Sequence, residues 1–434
     1  MPWERDGAST RNFSAEKYPC ISRRAYFVKQ RCLSMNTINK TVFVGVSGGV
    51  DSSVAAALLK EQGYNVVGVF IRTWTPDFIE CTWRDERRDA MRVCAHLGIP
   101  FLECNAEKKY KEGVADYMIE EYKKGNTPNP DVMCNREVKF GVFWKFAKSK
   151  RADYIATGHY AQNITAHPTD AVHLLDSLNT KKSQKVLRKL QAFASSPTPV
   201  AFRGPCELHK GIDDSKDQSY FLWTLKQEDL SHVLFPVGHL KKTEVRKLAE
   251  KFKLPTATKK DSQGVCFLGP LDMKDFLRHY IESKKGDVIN EKGEVIGSHD
   301  GAVFFTLGER HGFTLNKHIE SDKPLYVISK DIKKNTITVS HRLEKQVEKK
   351  IHRTVLCSNI NWISKIPEKN KKYQGQIRYH GELLNCKINC TSLSAEQAGP
   401  TGAEVIFEKN VLVASGQSIV VYDGDICLGG GVVE

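Results

Sequence analysis

No stretch of this chain approaches the roughly 18 uninterrupted apolar residues that a membrane-spanning helix needs, which excludes a helical membrane protein. Cysteine is sparse, at 12 in 434 residues, and no CxxC pair occurs. Neither a secreted disulfide framework nor the usual zinc knuckle is therefore written into the spacing, and a reducing compartment is expected. The closest pair, Cys386 and Cys390, falls on one face of a strand and reads as packing. The chain also lacks the GxGxxG of a dinucleotide fold, the GxxxxGK[ST] of the common phosphate loop, and any internal repeat. Acidic residues are outnumbered, with 51 Asp and Glu against 65 Lys and Arg and a formal charge of +14. That balance favours a polyanionic partner such as nucleic acid; a basic enzyme with no such partner is the plainer alternative.

The length suits two or three domains, and the proportions of apolar and charged residues are those of a globular protein. Residues 1–40 carry basic side chains without apolar periodicity and are expected to be a disordered extension. From Thr41 onward short Val/Ile-rich runs alternate with amphipathic helical stretches: Thr41 to Val46, a helix ending near Gly63, Asn65 to Ile71, a helix over Trp83 to Leu97, Ile99 to Cys104, a helix over Lys108 to Lys124, and Asp153 to Thr157. This alternation predicts an α/β fold with a parallel sheet covered on both faces. Residues 161–205 break the pattern and read as an inserted surface loop. Helical spacing returns from Lys242 to Phe252. Past Asp272 one helix reaches Ile281, and then come short, Gly-punctuated strands: Val288 to Gly297, Ala302 to Leu307, Leu325 to Ser329 and Thr336 to Ser340. The last 85 or so residues are nearly all strand signals, including Tyr373 to Tyr379, Leu383 to Asn389, Glu404 to Phe407 and Ser418 to Tyr422, which predict a small antiparallel barrel. The expected organisation is a catalytic unit over 41–268 with the 161–205 insertion, a small central domain over 269–345, and a C-terminal β-barrel over 346–434.

The strongest chemical signal is the string Val44-Gly-Val-Ser-Gly-Gly-Val-Asp-Ser-Ser53, set between a buried strand and a helix. Its Ser47, Gly48 and Gly49 allow backbone N–H groups to turn onto an anion, and the following helix adds its positive end. A Gly-rich turn with no ligand is the bland alternative. The string SGGVDSS resembles the pyrophosphatase loop of enzymes that split ATP into AMP and pyrophosphate while activating an oxygen. Three further segments, Thr127-Pro-Asn-Pro-Asp-Val-Met-Cys-Asn-Arg-Glu-Val-Lys-Phe140, Lys216-Asp-Gln-Ser-Tyr-Phe221 and Asp261-Ser-Gln-Gly-Val-Cys-Phe267, are similar to motifs of the tRNA-specific 2-thiouridylases. Ala156-Thr-Gly-His-Tyr160 and Cys427-Leu-Gly-Gly-Gly431 match that family too, so the resemblance runs from about Thr41 to Glu434.

The resemblance implies an adenine-nucleotide alpha-hydrolase-like N-terminal domain and the 2-thiolation of wobble uridine in tRNA. ATP adenylates the 2-oxo group, and sulfur arrives as a cysteine persulfide that displaces AMP. It implies nucleotide contacts from Gly45, Val46, Ser47, Gly48, Gly49, Val50, Asp51, Ser52, Ile71 and Gly158, with Asp51 helping to position Mg2+. Ile71 stands where the family often has Met. The resemblance makes Cys134 the nucleophile and Cys266 the persulfide carrier, the two forming a disulfide during turnover. Arg136 and Lys139 are near enough in sequence to favour a thiolate. Asn129, Pro130 and Asp131, a turn signal by themselves, would meet the target base, with Asp131 as general acid or base. His159, Lys216, Asp217, Gln218, Arg378, Tyr379 and Gln417 match tRNA-side positions; their residue types suit phosphate contact and base stacking. Lys181, Lys182, Lys185, Arg188 and Lys189 would put a basic loop near the site.

Two other classes stay open at this level. A pyrophosphatase-loop synthetase or amidotransferase shares the loop, although residue 2 is Pro and offers no N-terminal cysteine nucleophile. A non-catalytic RNA-binding protein shares the charge. An iron–sulfur cluster on Asp131, Cys134 and Cys266 is an alternative to disulfide cycling, with no resident metal otherwise expected. The expected partners are tRNA and a persulfide donor, either a sulfurtransferase relay or a cysteine desulfurase, with no membrane contact and a monomeric enzyme. Met35 precedes the start of the resemblance, and residues 1–34 are expected to be dispensable. Arg11, Arg23, Arg24 and Arg31 give a partial transit-peptide composition that Glu4, Asp6 and Glu16 oppose, so a cytoplasmic location is expected, with the mitochondrial matrix as the alternative.

Overall fold

The computed structural model describes residues 40–79, 83–165, 205–261, 266, 272–316, 324–341, 352–391 and 402–434. The expected extension, the five basic residues of the inserted loop and most of the segment around Cys266 lie outside the described residues.

The first sheet is parallel throughout, in the order β3-β2-β1-β4-β7. Its members are β1 (Thr41–Gly45), β2 (Asn65–Arg72), β3 (Phe101–Asn105), β4 (Tyr154–Ala156) and β7 (Val233–Leu234). The central strands are apolar on both faces, because helices cover both: Val42 and Val44 are fully buried on one side of β1 and Phe43 on the other. Helix α1 (Val50–Glu61) follows β1 and α2 (Trp83–Leu97) precedes β3. Chain order reverses between β2 and β4 across β1, the crevice where open α/β sheets take their ligands.

After β3 one long helix, α3, runs through Glu107–Tyr110, a π-helical turn Lys111–Asp116, and Tyr117–Lys123. A second, α4, is built the same way from Pro130–Cys134, π-helical Asn135–Val142 and Phe143–Ser149. Asn129 caps it, its Oδ1 accepting from Val132 N at 3.2 Å, and Pro130 takes the first helical position, where no N–H is needed. The turn signal at Asn129-Pro130 is thus a helix start.

The expected surface insertion needs one correction. Its first residues form β5 (Ala161–Thr165), which pairs in antiparallel register with β6 (Cys206–Lys210), and β6 pairs with the C-terminal strand, Cys427 opposite Leu208. Ala161, Cys206 and Leu208 are buried, so this hairpin is a structural bridge from the catalytic unit to the barrel rather than loop.

Helix α5 (Lys242–Lys251) lies against α1, and α6 (Met273–Arg278) leads into a central sheet ordered β10-β9-β8-β12-β11. Those strands are β8 (Gly286–Ile289), β9 (Val295–His299), β10 (Phe313–Leu315), β11 (Tyr326–Asp331) and β12 (Thr336–Ser340). The run expected as one strand from Val288 to Gly297 is two, because Gly293 turns the chain with φ +85°. Ala302 to Leu307 is a short 3-10 turn over Ala302–Phe304, not a strand.

Six strands close the C-terminal barrel: β13 (His352–Trp362), β14 (Tyr373–Gln376), β15 (Leu384–Thr391), β16 (Gly402–Val411), β17 (Ser418–Asp423) and β18 (Ile426–Val433), with β13 pairing β18 to complete the ring. The 427–431 motif works here. Any Cβ at Gly429 would strike Asn361 O, and one at Gly431 would strike the Ile360 side chain. The barrel is fixed to the catalytic unit by residues 219–227: Tyr220 OH donates to Ser418 O (2.9 Å), Trp223 Nε1 to Ser418 Oγ (3.1 Å), and Asn361 Nδ2 to Trp223 O (2.7 Å). Cys386 is buried in the barrel core, as its packing role requires.

Candidate active site

The Gly45 to Ser52 loop leaves β1 at the reversal point of the sheet. Gly48 has φ +72°, and a Cβ there would meet Glu86 O at 2.7 Å, so only glycine fits. Gly49 occupies the cap position of α1 without any side-chain cap, while Ser53 Oγ donates to its carbonyl at 2.7 Å. The loop is braced from within by Ser52 Oγ, which accepts from Ser47 N at 3.3 Å. The first N–H groups of a 12-residue helix therefore face a crevice, the arrangement that binds an anion.

Gly158, just past β4, closes the other side. A Cβ at that position would lie 2.7 Å from Ser52 N and 2.8 Å from the Asp51 carbonyl carbon, so Gly158 lets two backbones touch at the foot of the cradle. Ile71 is buried at the end of β2 and gives the crevice an apolar wall with Val69 and Phe70.

Asp51 is held by groups that sequence reasoning passed over. Lys242 Nζ donates to both of its carboxylate oxygens, at 2.7 and 2.8 Å, and Tyr160 OH donates to Oδ1 at 2.8 Å. Lys242 also reaches Asp261 Oδ1 at 2.9 Å, and Lys216 reaches Asp261 Oδ2 at 3.1 Å. Partial burial pushes the Asp261 carboxyl up, but Lys242 and Lys216 outweigh it and hold it at about 2. Burial, then the charge of Asp51, pushes the Tyr160 phenol up and keeps it a donor. A signal for Lys242 was available: it is the first residue of α5, where a cation opposes the helix dipole.

A second cluster sits on α4. Cys134 Sγ and Cys266 Sγ are 3.5 Å apart, well beyond the roughly 2.0 Å of a disulfide bond, so both are thiols in position to exchange. Lys139 follows Cys134 by one π-helical turn, and its ammonium favours the thiolate form of both cysteines. The hydrogen bond from Cys134, then Lys139, lowers the Cys266 thiol below its ordinary value. Burial, then the neighbouring Cys266, raises that of Cys134. Cys134 is thus the donor of the pair, and its hydrogen bond favours the thiolate form of Cys266. Arg136 takes no part in this, being paired with Glu137 at 2.9 Å.

Asp131, one helical turn before Asn135, accepts from Cys266 N at 3.0 Å, and burial raises its carboxyl. Tyr110 OH donates to Cys266 O at 2.8 Å, fixing the cysteine from the other side. His159 is buried, and burial, then Lys139, lowers its imidazole well below the usual range, so the ring is neutral. Lys139 donates to its Nε2 at 3.5 Å; the proton is accordingly on Nδ1, which donates to Thr157 Oγ1 at 2.7 Å.

Both clusters contribute to one cavity of about 550 Å³, whose lining includes the loop, Asp131, Lys139, His159, Lys242 and Cys266 together with Lys216, Gln218, Phe221 and Tyr379. Tyr379 comes from the barrel, is 36% exposed, and lies 4.3 Å from Phe221, ring to ring. Other expected tRNA-side residues have work within the fold. Asp217 accepts from Gly211 N, Ser219 N and Ser219 Oγ, and Gln218 Oε1 accepts from Tyr160 N at 3.0 Å. Arg378 donates to Leu307 O at 3.1 Å, bracing barrel against central domain, and Gln417 accepts from Val433 N through its carbonyl. Among the described residues no three His, Cys, Asp or Glu side chains are grouped to hold a metal ion.

The description "tRNA methyl transferase HUP domain" matches residues 40–194 and 199–270, the matching "PRC-barrel domain" residues 274–341, and "Aminomethyltransferase beta-barrel domain" residues 352–433. The tRNA-specific 2-thiouridylase MnmA 2 of Geobacillus kaustophilus is 40% identical over 399 residues, covering 91% of this chain and 94% of the relative. That of Bacillus subtilis is 39% identical over 398 residues with the same coverage, and that of Listeria welshimeri 38% over 405 residues, covering 93% and 96%. Likeness to solved structures is slight: a 4-thiouridine synthetase in complex with RNA and bound ATP covers 56% of this chain and 51% of its own, at 16% identity and TM-score 0.30. With near-complete coverage of these relatives, and with loop, cysteine pair and barrel all in place, this chain belongs to the tRNA-specific 2-thiouridylase family.

Proposed function

We propose that this protein catalyses the ATP-dependent 2-thiolation of the wobble uridine of tRNA. The observation that carries the reading is a single cavity lined both by an anion-binding loop and by Cys266, with the buried Cys134 thiol 3.5 Å from the Cys266 sulfur. ATP lies with its phosphates on Gly45 to Ser52 and its adenine against Ile71, and Gly158 keeps the cradle closed. Mg2+ bound at Asp51 would neutralise the departing pyrophosphate. Activation makes the uridine 2-oxo group part of a good leaving group, AMP.

Sulfur then comes from a donor persulfide. The Cys266 thiolate attacks the donor's outer sulfur, forming a Cys266 persulfide and releasing the donor as a thiol. The terminal sulfur of that persulfide attacks C2 of the activated uridine. Cys134 next gives up its proton and attacks Cys266 Sγ, forming the Cys134–Cys266 disulfide; the electron pair of the broken S–S bond passes to the sulfur on C2, which expels AMP as the C=S bond forms. A thiol reductant resets the enzyme. Asp131, bonded to the Cys266 N–H and with its carboxyl raised by burial, takes the proton that Cys134 gives up, and neutral His159 orients Lys139.

Tyr379 and Phe221, both lining the cavity, stack the displaced base, and Lys216 and Arg378 meet phosphate. Asn129, Pro130, Asp217, Gln218 and Gln417 act on tRNA indirectly, by holding those surfaces in place. Domain limits near 268 and 345, a monomeric state, and a cytoplasmic location like that expected for bacterial relatives belong to the same reading.

Mass spectrometry of tRNA nucleosides after incubation with ATP, Mg2+ and a persulfide donor tests it. The expected product is 2-thiouridine with stoichiometric AMP. A methylated uridine, or AMP release driven by a small acceptor without tRNA, would overturn the assignment.

A further inference from the structure

Lys242 is placed where two different ligands would want to be. Its ammonium takes both oxygens of Asp51 and one of Asp261, yet Asp261 is served besides by Lys216 and Arg246. Neutralising Asp261 therefore does not require Lys242. For Asp51, it is the one cation paired to the carboxylate among the described residues. The side chain is 14% exposed and lines the same cavity as Gly49 and Ser52, so the ammonium is within the space that a polyphosphate on the loop would enter. The backbone is anchored independently, since Lys242 N donates to Asp213 Oδ2 at 2.8 Å. The butyl chain can swing while its Cα stays fixed.

A magnesium ion needs hard oxygen ligands at about 2.1 Å. An ammonium within hydrogen-bond distance of the same two oxygens excludes it by charge and by volume. A polyphosphate on the loop offers that ammonium other oxygens. Resting on the assignment of Asp51 to Mg2+ made above, we propose that Lys242 is a positioning residue that competes with the divalent cation for Asp51 and passes to the phosphates as the nucleotide arrives. The metal then enters with ATP rather than ahead of it, and the charge that leaves Asp51 is spent on the pyrophosphate.

The test is titration of the full-length protein with Mn2+ by electron paramagnetic resonance, without nucleotide, in wild type, K242M, K242R and D51N. K242M is expected to bind Mn2+ at least about tenfold more tightly than wild type, from loss of one positive charge beside the site. K242R retains the charge and should stay weak, and D51N should bind least. In a second measurement, the affinity of a non-hydrolysable ATP analogue with Mg2+ should fall about tenfold or more in K242M, a charged contact to phosphate having been removed. Should K242M not fold, K242Q carries the same comparison. Equal Mn2+ affinity in wild type and the neutral variant, or tight nucleotide-free Mn2+ binding in wild type that D51N abolishes, would overturn the inference. If wild type meanwhile binds the analogue and thiolates tRNA, the functional reading stands; if wild type binds no analogue at all, both fall.

Discussion

The Sγ atoms of Cys134 and Cys266 lie 3.5 Å apart although 132 residues separate them in sequence. One is on the rigid helix α4, and the other is pinned to that helix by Asp131 Oδ1 accepting from its own N–H and to α3 by Tyr110 OH. Two thiols at that distance need only a small approach to bond; the ammonium of Lys139 favours the thiolate of both, and the hydrogen bond that Cys134 donates favours it at Cys266.

Replacing either cysteine by serine should abolish thiolation, because neither sulfur retains half of an exchange reaction. Cys134→Ser and Cys266→Ser are each expected to lower 2-thiouridine formation by at least about 100-fold, and the double variant by little more, as residues acting as one unit do. Tritium-free nucleoside mass spectrometry reads the product, and ATP consumption in the same samples should survive better than sulfur transfer. Thiolation near the wild-type rate in either variant would rule out the two-cysteine scheme.

The two thiols should also separate by pH. Cys266 is held below the ordinary thiol range by the Cys134 hydrogen bond and Lys139, so it is a thiolate at pH values where a free cysteine, near about 8.5, is still protonated. Iodoacetamide at pH 7 should label Cys266 well before Cys134, as peptide mapping will show. In Lys139→Met the labelling of Cys266 should move to higher pH. Because a lowered folded-state value favours the folded protein above the ordinary thiol range, that contribution fades as pH falls through the Cys266 value, and Lys139→Met should flatten this part of the stability profile.

Gly158→Ala tests the cradle by sterics alone. The new Cβ would lie 2.7 Å from Ser52 N. Relief requires the loop to move, at a cost of roughly 1–3 kcal/mol. Calorimetry should show a lower affinity for an ATP analogue together with a modest drop in Tm, while tRNA binding is retained. Unchanged nucleotide affinity in the folded variant would detach Gly158 from the phosphate site.

Arg378 bonds Leu307 O and, in the function proposed above, also meets tRNA phosphate; the two can be read apart. Loss of its phosphate contact in Arg378→Ala should weaken tRNA binding and reduce the slope of log K against log salt by about 0.7 to 0.9. Loss of its bond to Leu307 O should lower Tm slightly. ATP affinity should not change. A normal salt slope would place the tRNA path away from the barrel.

Sequence by itself determined what local chemistry can dictate. The alternation of buried runs and amphipathic helices in 41–157 specifies a parallel sheet, and SGGVDSS specifies a turn that presents N–H groups, since glycine at 48 is required by a positive φ and helix ends always leave donors free. Asn129 and Pro130 carry their own helix start. Strand β13 was harder to see, because its polar and apolar residues do not alternate strictly, and β5 with β6 was hidden by the polar stretch between them.

The tertiary structure alone decided which charges meet. Nothing local brings Lys242 to Asp51, 191 residues away, or Tyr160 OH to the same carboxylate. Nor could spacing choose between Arg136 and Lys139: a π-helical turn sends the lysine inward to the sulfurs and leaves the arginine outside on Glu137. Residue type fixes what a side chain can do, whereas burial and the geometry of distant elements fix its neighbours, and in a low-dielectric cavity the neighbours determine the protonation state.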